Sequence, residues 1–238
     1  MSIIDLTREG TVAVITMDNG ENLQNLAFAQ AMGNAFDEAL ADGSVTAIVI
    51  TSAGEKFFSA GVDLAWMMDR FSNNALDEMR AFMYGMNEVF KKCLLAPVPV
   101  IAAINGHAFG NGAILSCACD FRFMKANRGF FCFPEVDVQI PFLPGMVAFV
   151  KKAIPYYKFN EMKLTGKRVS APELAEHHII EKACADKEEL MAEALAFAAT
   201  FNKKRGIFGE HKRRLHKSII EVIDKEDPEY IEPLNLMI

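Results

Sequence analysis

Lys56-Phe57-Phe58-Ser59-Ala60-Gly61-Val62-Asp63-Leu64 is a loop with a small, glycine-bearing centre that follows the β-branched run Ala47 to Ile50. A second stretch of the same kind, Asn105-Gly106-His107-Ala108-Phe109-Gly110-Asn111-Gly112, follows the apolar run Val98 to Ile104 and leads into the small-residue segment Ala113 to Cys119. Short apolar runs bounded by polar residues, alternating with helix-period segments, are the pattern of strands buried between crossover helices. The two loops therefore read as two turns of one repeating strand-to-helix unit, and the fold class follows as α/β.

Outward from the loops the same rhythm continues. Ile3, Ile4 and Leu6, a turn at Glu9 and Gly10, and the run Thr11 to Met17 predict an opening hairpin. Phe28, Met32, Phe36 and Leu40 recur at helical spacing within Leu26 to Leu40, and Gly43 stops that helix. A Met-rich span from Trp66 to Met68 reads as mobile, and Asn74 to Leu95 as a second amphipathic helix closed off by Pro97 and Pro99. Phe121 to Met124 predicts another strand. From Phe142 onward the period is helical, through 149–154, 159–164, 171–177 and 190–201, and the last piece, Ile207 to Ile238, reads as an amphipathic helix with an irregular tail.

Composition bounds the function. The 238 residues carry 51% hydrophobic and 24% charged side chains, which is globular and excludes a disordered chain. The net charge of −6 offers no global positive field for nucleic acid or acidic membranes. No stretch approaches the 18 apolar residues of a membrane span, and the start lacks the layout of a signal peptide, so a cytoplasmic protein is expected. Five cysteines without CxxC spacing read as reduced core thiols. The histidines do not pair at zinc spacing, and no metal site is expected.

Glycine lets backbone approach closely, and each loop can offer a free N–H at a helix start; two such donors converging on one spot would form an oxyanion hole. Neither loop is a nucleotide fingerprint. Glu135, in Phe131-Cys132-Phe133-Pro134-Glu135-Val136-Asp137-Val138, is a carboxylate in an apolar run, which desolvation would make basic; it could equally cap or pair at a strand end. Asp137 competes for the same role, since it shares a face with Glu135 if the segment is extended. His107, at the second loop, is read as a structural hydrogen-bonding residue. The basic cluster near Lys203, Lys204, Arg205 and Lys212 reads as a solvated helix face.

Lys56 to Leu64, Asn105 to Gly112, Cys119-Asp120 and Phe133-Pro134-Glu135, in this order, resemble the crotonase superfamily of enoyl-CoA hydratases and isomerases; order and spacing match over about residues 3 to 200. The resemblance implies a spiral of ββα units over residues 1–195 and a helical region over 196–238 that drives assembly into a homotrimer or hexamer. It implies an acyl-CoA thioester substrate, with no cofactor beyond the coenzyme A that the substrate brings. By similarity, the oxyanion donors are the Val62 and Asn111 N–H groups. Ser59, Ala60, Gly61, Asp63 and Leu64 would line the coenzyme A path, Gly110 would also touch the substrate, and Ile114 and Phe133, with Phe142, would form an apolar lining that keeps water out.

Family members differ in where their carboxylates stand. Hydratases of the family have one glutamate three residues past the second oxyanion donor and another at the Pro-Glu position; here the first is Ile114 and the second is Glu135. A lone base suits the double-bond shift of a Δ3,Δ2-enoyl-CoA isomerase of the mitochondrial or plant-peroxisomal type. A second isomerase type places its glutamate about nine residues later, where this chain has Leu143-Pro144-Gly145. A hydratase, a CoA-thioester hydrolase and a non-catalytic acyl-CoA-binding or partner-binding protein of the same fold remain alternatives. Asn111 stands where many members have glycine, and Trp66 leaves no lysine after Leu64, so the residues that meet the coenzyme A phosphates are left open; Lys203, Lys204 or Lys212 could supply the contact, within one chain or across a subunit boundary.

Overall fold

The computed structural model describes residues 3–235. Strands β1 (Ile4–Glu9) and β2 (Val12–Met17) form an antiparallel hairpin around Gly10, whose positive φ of 62° suits the tight turn. The short β3 (Leu23–Gln24) precedes helix α1 (Leu26–Ala41), which Asn25 caps by accepting a hydrogen bond from the Phe28 N–H. Then come β4 (Ala47–Ser52), the short β5 (Phe57–Ser59) and β6 (Gly61–Val62), α2 (Leu64–Ser72) and α3 (Leu76–Leu95). A second pass of the same kind gives β7 (Val100–Ile104), β8 (His107–Phe109), α4 (Asn111–Ala118), β9 (Phe121–Lys125) and β10 (Phe131–Cys132).

The helical half follows: α5 (Glu135–Val138), α6 (Pro144–Ala153), α7 (Tyr156–Thr165) and α8 (Ala171–Glu176), with one more strand, β11 (Lys182–Cys184), before α9 (Lys187–Ala199). The chain closes with α10 (Arg205–Leu215), α11 (Lys217–Lys225) and α12 (Pro228–Ile231).

The main sheet has the order β1-β2-β4-β7-β9-β11, parallel from β2 onward; a second, parallel sheet has the order β10-β8-β5, and β3 pairs with β6. Alternation along the buried strands assigns their two faces. Ile48, Ile50, Val100, Ala102 and Ile104 face the main core with α1, α3 and α4, whereas Val49, Ile101, Ala103 and Phe123 face the other side, where α9 covers them with Leu190, Ala194 and Ala198. The main sheet is thus buried on both faces, as a parallel sheet requires.

Three readings of the sequence change. The span expected to be mobile is the helix α2: Asp63 caps it through the Trp66 N–H, and Trp66 packs edge-on against Phe82 of α3, ring centroids 5.7 Å apart. The expected single C-terminal helix is broken at His216 into α10 and α11, and residues 230–235 are partly helical; the end of the expected tail, residues 236–238, lies outside the described residues. The division expected between residues 195 and 196 falls inside α9, which packs on the main sheet. Among the described residues no helix is long and apolar enough to cross a membrane.

Candidate active site

Helix α4 is buried at every position, so the strand-to-helix turn before it is held by core packing on all sides. Asn111 is its first residue; the first N–H groups of a helix have no intrahelical acceptor and sit at its positive end. The Asn111 N–H is presented next to Gly61. A methyl group on Gly61 would come 3.2 Å from the Asn111 amide nitrogen and 2.8 Å from the Phe109 carbonyl oxygen, and the φ of 92° at Gly61 belongs to the left-handed region. The Val62 amide follows directly. In the register that pairs Gln24 with Val62, it is the Asp63 N–H that donates to Gln24 O (2.9 Å), so the Val62 N–H points to the opposite side of β6 from β3. The two glycine loops therefore converge, each with one amide that has no acceptor among the described residues.

A third segment meets them. Glu135 opens α5, and its Oε1 lies so close to Gly110 that a methyl there would stand 3.1 Å from it. Oε2 is buried and has no hydrogen-bond partner among the described residues. Burial pushes the Glu135 carboxyl up to about 7; its own backbone N–H and the Lys163 ammonium pull the other way. Phe133, two residues earlier, is fully buried and makes edge-to-face contacts with Phe131, Phe142 and Phe159. Ile114 is 2% exposed, one helical turn into α4, and puts an aliphatic side chain where a second carboxylate would stand. Beyond Glu135 a cleft of about 410 Å³ opens, walled by Val136, Ile140, Pro141 and Leu164 with Gln139 and Lys163.

Asp137 does not share this position. The segment is a helical turn rather than a strand, which sends Asp137 out to an exposed position near Gly166 instead of alongside Glu135.

Ser59 and Asp63 hold the loops in shape. Ser59 is fully buried; its hydroxyl donates to Asn22 O (2.7 Å) and accepts from Gln24 Nε2 (3.1 Å) and the Gly61 N–H (3.2 Å). Asp63 is committed to the α2 cap and to Asn25 Nδ2, and Leu64, by contrast, is exposed at the start of α2. Gly112 allows α4 to press on β5, since a methyl there would meet Ser59 O at 2.4 Å.

A buried polar network beneath the loops escaped the sequence reading. Asn111 Nδ2 donates to Gln24 Oε1 (2.6 Å), Gln24 donates to Ser59, and the buried Asn22 donates to Ser52 Oγ and to Phe58 O. The asparagine at position 111 thus turns its side chain down into the scaffold and leaves its N–H at the surface of the site. The only trace of this in the sequence is the run Asn22-Leu23-Gln24-Asn25, too polar for the strand and helix on either side of it.

A profile of the family described as enoyl-CoA hydratase/isomerase matches residues 7–232. The chain belongs to the enoyl-CoA hydratase/isomerase family. Carnitinyl-CoA dehydratase from Salmonella typhi is 32% identical over 229 residues, covering 96% of this chain and 85% of that protein. Among solved structures, an enoyl-CoA hydratase from Bacillus halodurans superposes with a TM-score of 0.86 at 21% identity, over 97% of this chain and 94% of the other. An enoyl-CoA isomerase from Mycobacterium tuberculosis gives 0.84 at 24%, over 98% of each chain. The fold is that of the crotonase superfamily, and membership of the enoyl-CoA hydratase/isomerase family makes the protein an enzyme acting on acyl-CoA thioesters.

The basic residues near the C-terminus are not one solvated helix face. Lys212 is buried, and its ammonium donates to Asp120 Oδ2 (2.6 Å) and to Cys93 O (2.8 Å), so it ties α10 to the core and is closed to a phosphate. Lys203 and Lys204 remain exposed ahead of α10. His107 makes a structural contact: its Nδ1 accepts from the Phe130 N–H at 3.2 Å.

Proposed function

We propose that this enoyl-CoA hydratase/isomerase family member is a Δ3,Δ2-enoyl-CoA isomerase with Glu135 as its proton-shuttling base. The observation that carries the reading is the isolation of the Glu135 carboxyl: it adjoins the Gly110 turn, it is desolvated, and the charged side chain that acts on it is an ammonium, not a second carboxylate.

With the thioester oxygen between the Val62 and Asn111 N–H groups, the Glu135 carboxylate removes a proton from C2 of a 3-enoyl-CoA. The C–H electron pair moves into the C1–C2 bond, and the thioester π electrons become the oxyanion that the two amides stabilise. Collapse of this dienolate takes a proton from the now neutral Glu135 at C4, so the double bond ends between C2 and C3 and the base is regenerated. Hydration asks for a second group to orient water, and the Ile114 side chain gives none. Burial of the Glu135 carboxyl keeps the base basic.

Incubation with a 3-enoyl-CoA and, separately, with a 2-enoyl-CoA tests this. Conjugation of the first without hydration of the second is expected. Hydration of the 2-enoyl-CoA alone would assign the protein to the dehydratase side of its family, where its Salmonella relative stands. The exposed Ile207 and Leu215 of α10 favour a homo-oligomer, a trimer or a pair of trimers, which sedimentation resolves. Cysteines that are all free in the fold suit a reducing cytoplasm.

A further inference from the structure

The cleft beyond Glu135 holds a cation that forms no salt bridge among the described residues. Lys163, on α7, is half-buried in the wall of this cleft, and its Nζ stands 3.7 Å from the centroid of the Phe142 ring. The contrast with its neighbours is direct. On the same helix Lys158 pairs with Glu161 and Glu173 at 2.6 Å each, and Lys167, just past the helix end, pairs with the same two carboxylates at 3.1 and 2.8 Å. Those four residues satisfy one another. Lys163 makes no ion pair or hydrogen bond among the described residues; the Glu135 charge attracts it across the cleft, but the Glu135 carboxyl is turned towards Gly110 and leaves the donors of the ammonium open.

The Phe142 ring face recovers part of the solvation the ammonium gives up, but a cation over an aromatic ring still has its hydrogen-bonding directions open. Val136, Ile140, Pro141 and Leu164 supply apolar contact around it. A plain alkyl chain filling the cleft would cover Lys163 and strip the remaining water from its ammonium without replacing it, which is costly. An acyl group ending in a carboxylate would instead meet it with a charge-assisted hydrogen bond.

We propose that Lys163 is a specificity-determining residue that selects acyl-CoA thioesters whose acyl chain carries a carboxylate at its far end. The inference rests on the acyl-CoA site described above and adds to it the class of acyl group. The same ammonium opposes an acyl group bearing a quaternary ammonium, as the carnitinyl group does.

Binding of saturated, non-reacting ligands separates this inference from the assignment of the reaction. Adipoyl-CoA and hexanoyl-CoA, and the longer pair suberoyl-CoA and octanoyl-CoA, differ only by the terminal carboxylate. Calorimetric titration of the full-length protein should show at least one carboxylated member bound about tenfold or more tighter than its plain partner. Lys163→Met should abolish or reverse that ratio, with Lys163→Arg retaining it. Lys163→Met also loses the contact with Phe142, so the folding control is a melting temperature that stays well above the titration temperature. Equal binding within both pairs, or a ratio that survives Lys163→Met, overturns the inference and leaves the acyl-CoA site standing. Failure of all four ligands to bind brings down both.

Discussion

The Glu135 carboxyl is pressed against Gly110: the space where a Cβ would stand at residue 110 ends 3.1 Å from Oε1. Gly110 also has a φ of 51°, so an L side chain there would be strained as well as crowded. One glycine therefore fixes both the turn that presents the Asn111 amide and the separation between that amide and the base.

The first prediction concerns pH. Glu135 must be ionised to accept a proton, and its carboxyl titrates at about 7, so turnover should fall tenfold per unit as pH drops below about 7 and level off above it. Steady-state kcat/KM across the acid range measures this. Glu135→Gln should lower the rate by several orders while circular dichroism stays native.

The same carboxyl makes a stability prediction. Its folded value lies above the ordinary 4.5, so the folded state holds the proton more tightly. Stability contributed by the protonated carboxyl is whole below about 4.5 and is lost as pH rises through about 7, a cost approaching about 3 kcal/mol once the group is ionised. Glu135→Gln should therefore melt a few degrees higher than the natural protein at pH 8 and hardly differently at pH 4.5. Equal melting temperatures at the higher pH would show that the carboxyl is well solvated.

Ile114→Glu should convert the balance of reactions. A second carboxylate would repel the first and supply a group to hold water, so hydration of 2-enoyl-CoA should rise above the natural level while isomerisation falls. Separating the hydroxyacyl product from the isomerised one by chromatography distinguishes the two changes.

The asparagine at 111 contributes its main chain to the site and its side chain to the scaffold. Asn111→Gly should keep turnover within about an order of magnitude, because the N–H remains, and cost about 1 kcal/mol in unfolding free energy for the lost bond to Gln24. Gly61→Ala should behave in the opposite way and remove most activity, because its methyl would intrude between the two amides and meet Phe109 O at 2.8 Å.

Lys212→Met should be a stability lesion with no binding phenotype. It breaks a buried pair with Asp120 and frees Cys93 O, which costs roughly 3 to 5 kcal/mol in chemical denaturation. KM for acyl-CoA substrates should not change at temperatures where the variant is folded.

How far the sequence carried the reading depends on element length. The six-residue strands β2 and β4 and the long α1 and α3 repeat their apolar positions often enough to be seen, and the two glycine loops between them fix the order of the units. Strands of two or three residues, such as β3, β6 and β10, have no period to detect; they exist because tertiary pairing holds them. The same limit explains Asp137: a four-residue helical turn after Pro134 cannot be told from a strand by alternation. Glu135 stands out as a carboxylate just after Phe133-Pro134 in an apolar run, but the sequence leaves it equally open as a strand-end cap; what the fold adds is its burial beside Gly110. Lys163 was not legible, since a lysine near a helix end looks solvated until the fold places it over Phe142.

Helix α4 has no outward-facing residue, and it is this helix that carries the second amide. A change that moved that donor would have to disturb the centre of the protein, whereas α5 and α7, which bound the cleft, reach the surface. If the proposed chemistry holds, descendants of this chain are accordingly free to change acyl preference by repainting the cleft walls, and are constrained to inherit the geometry of the Asn111 amide unchanged.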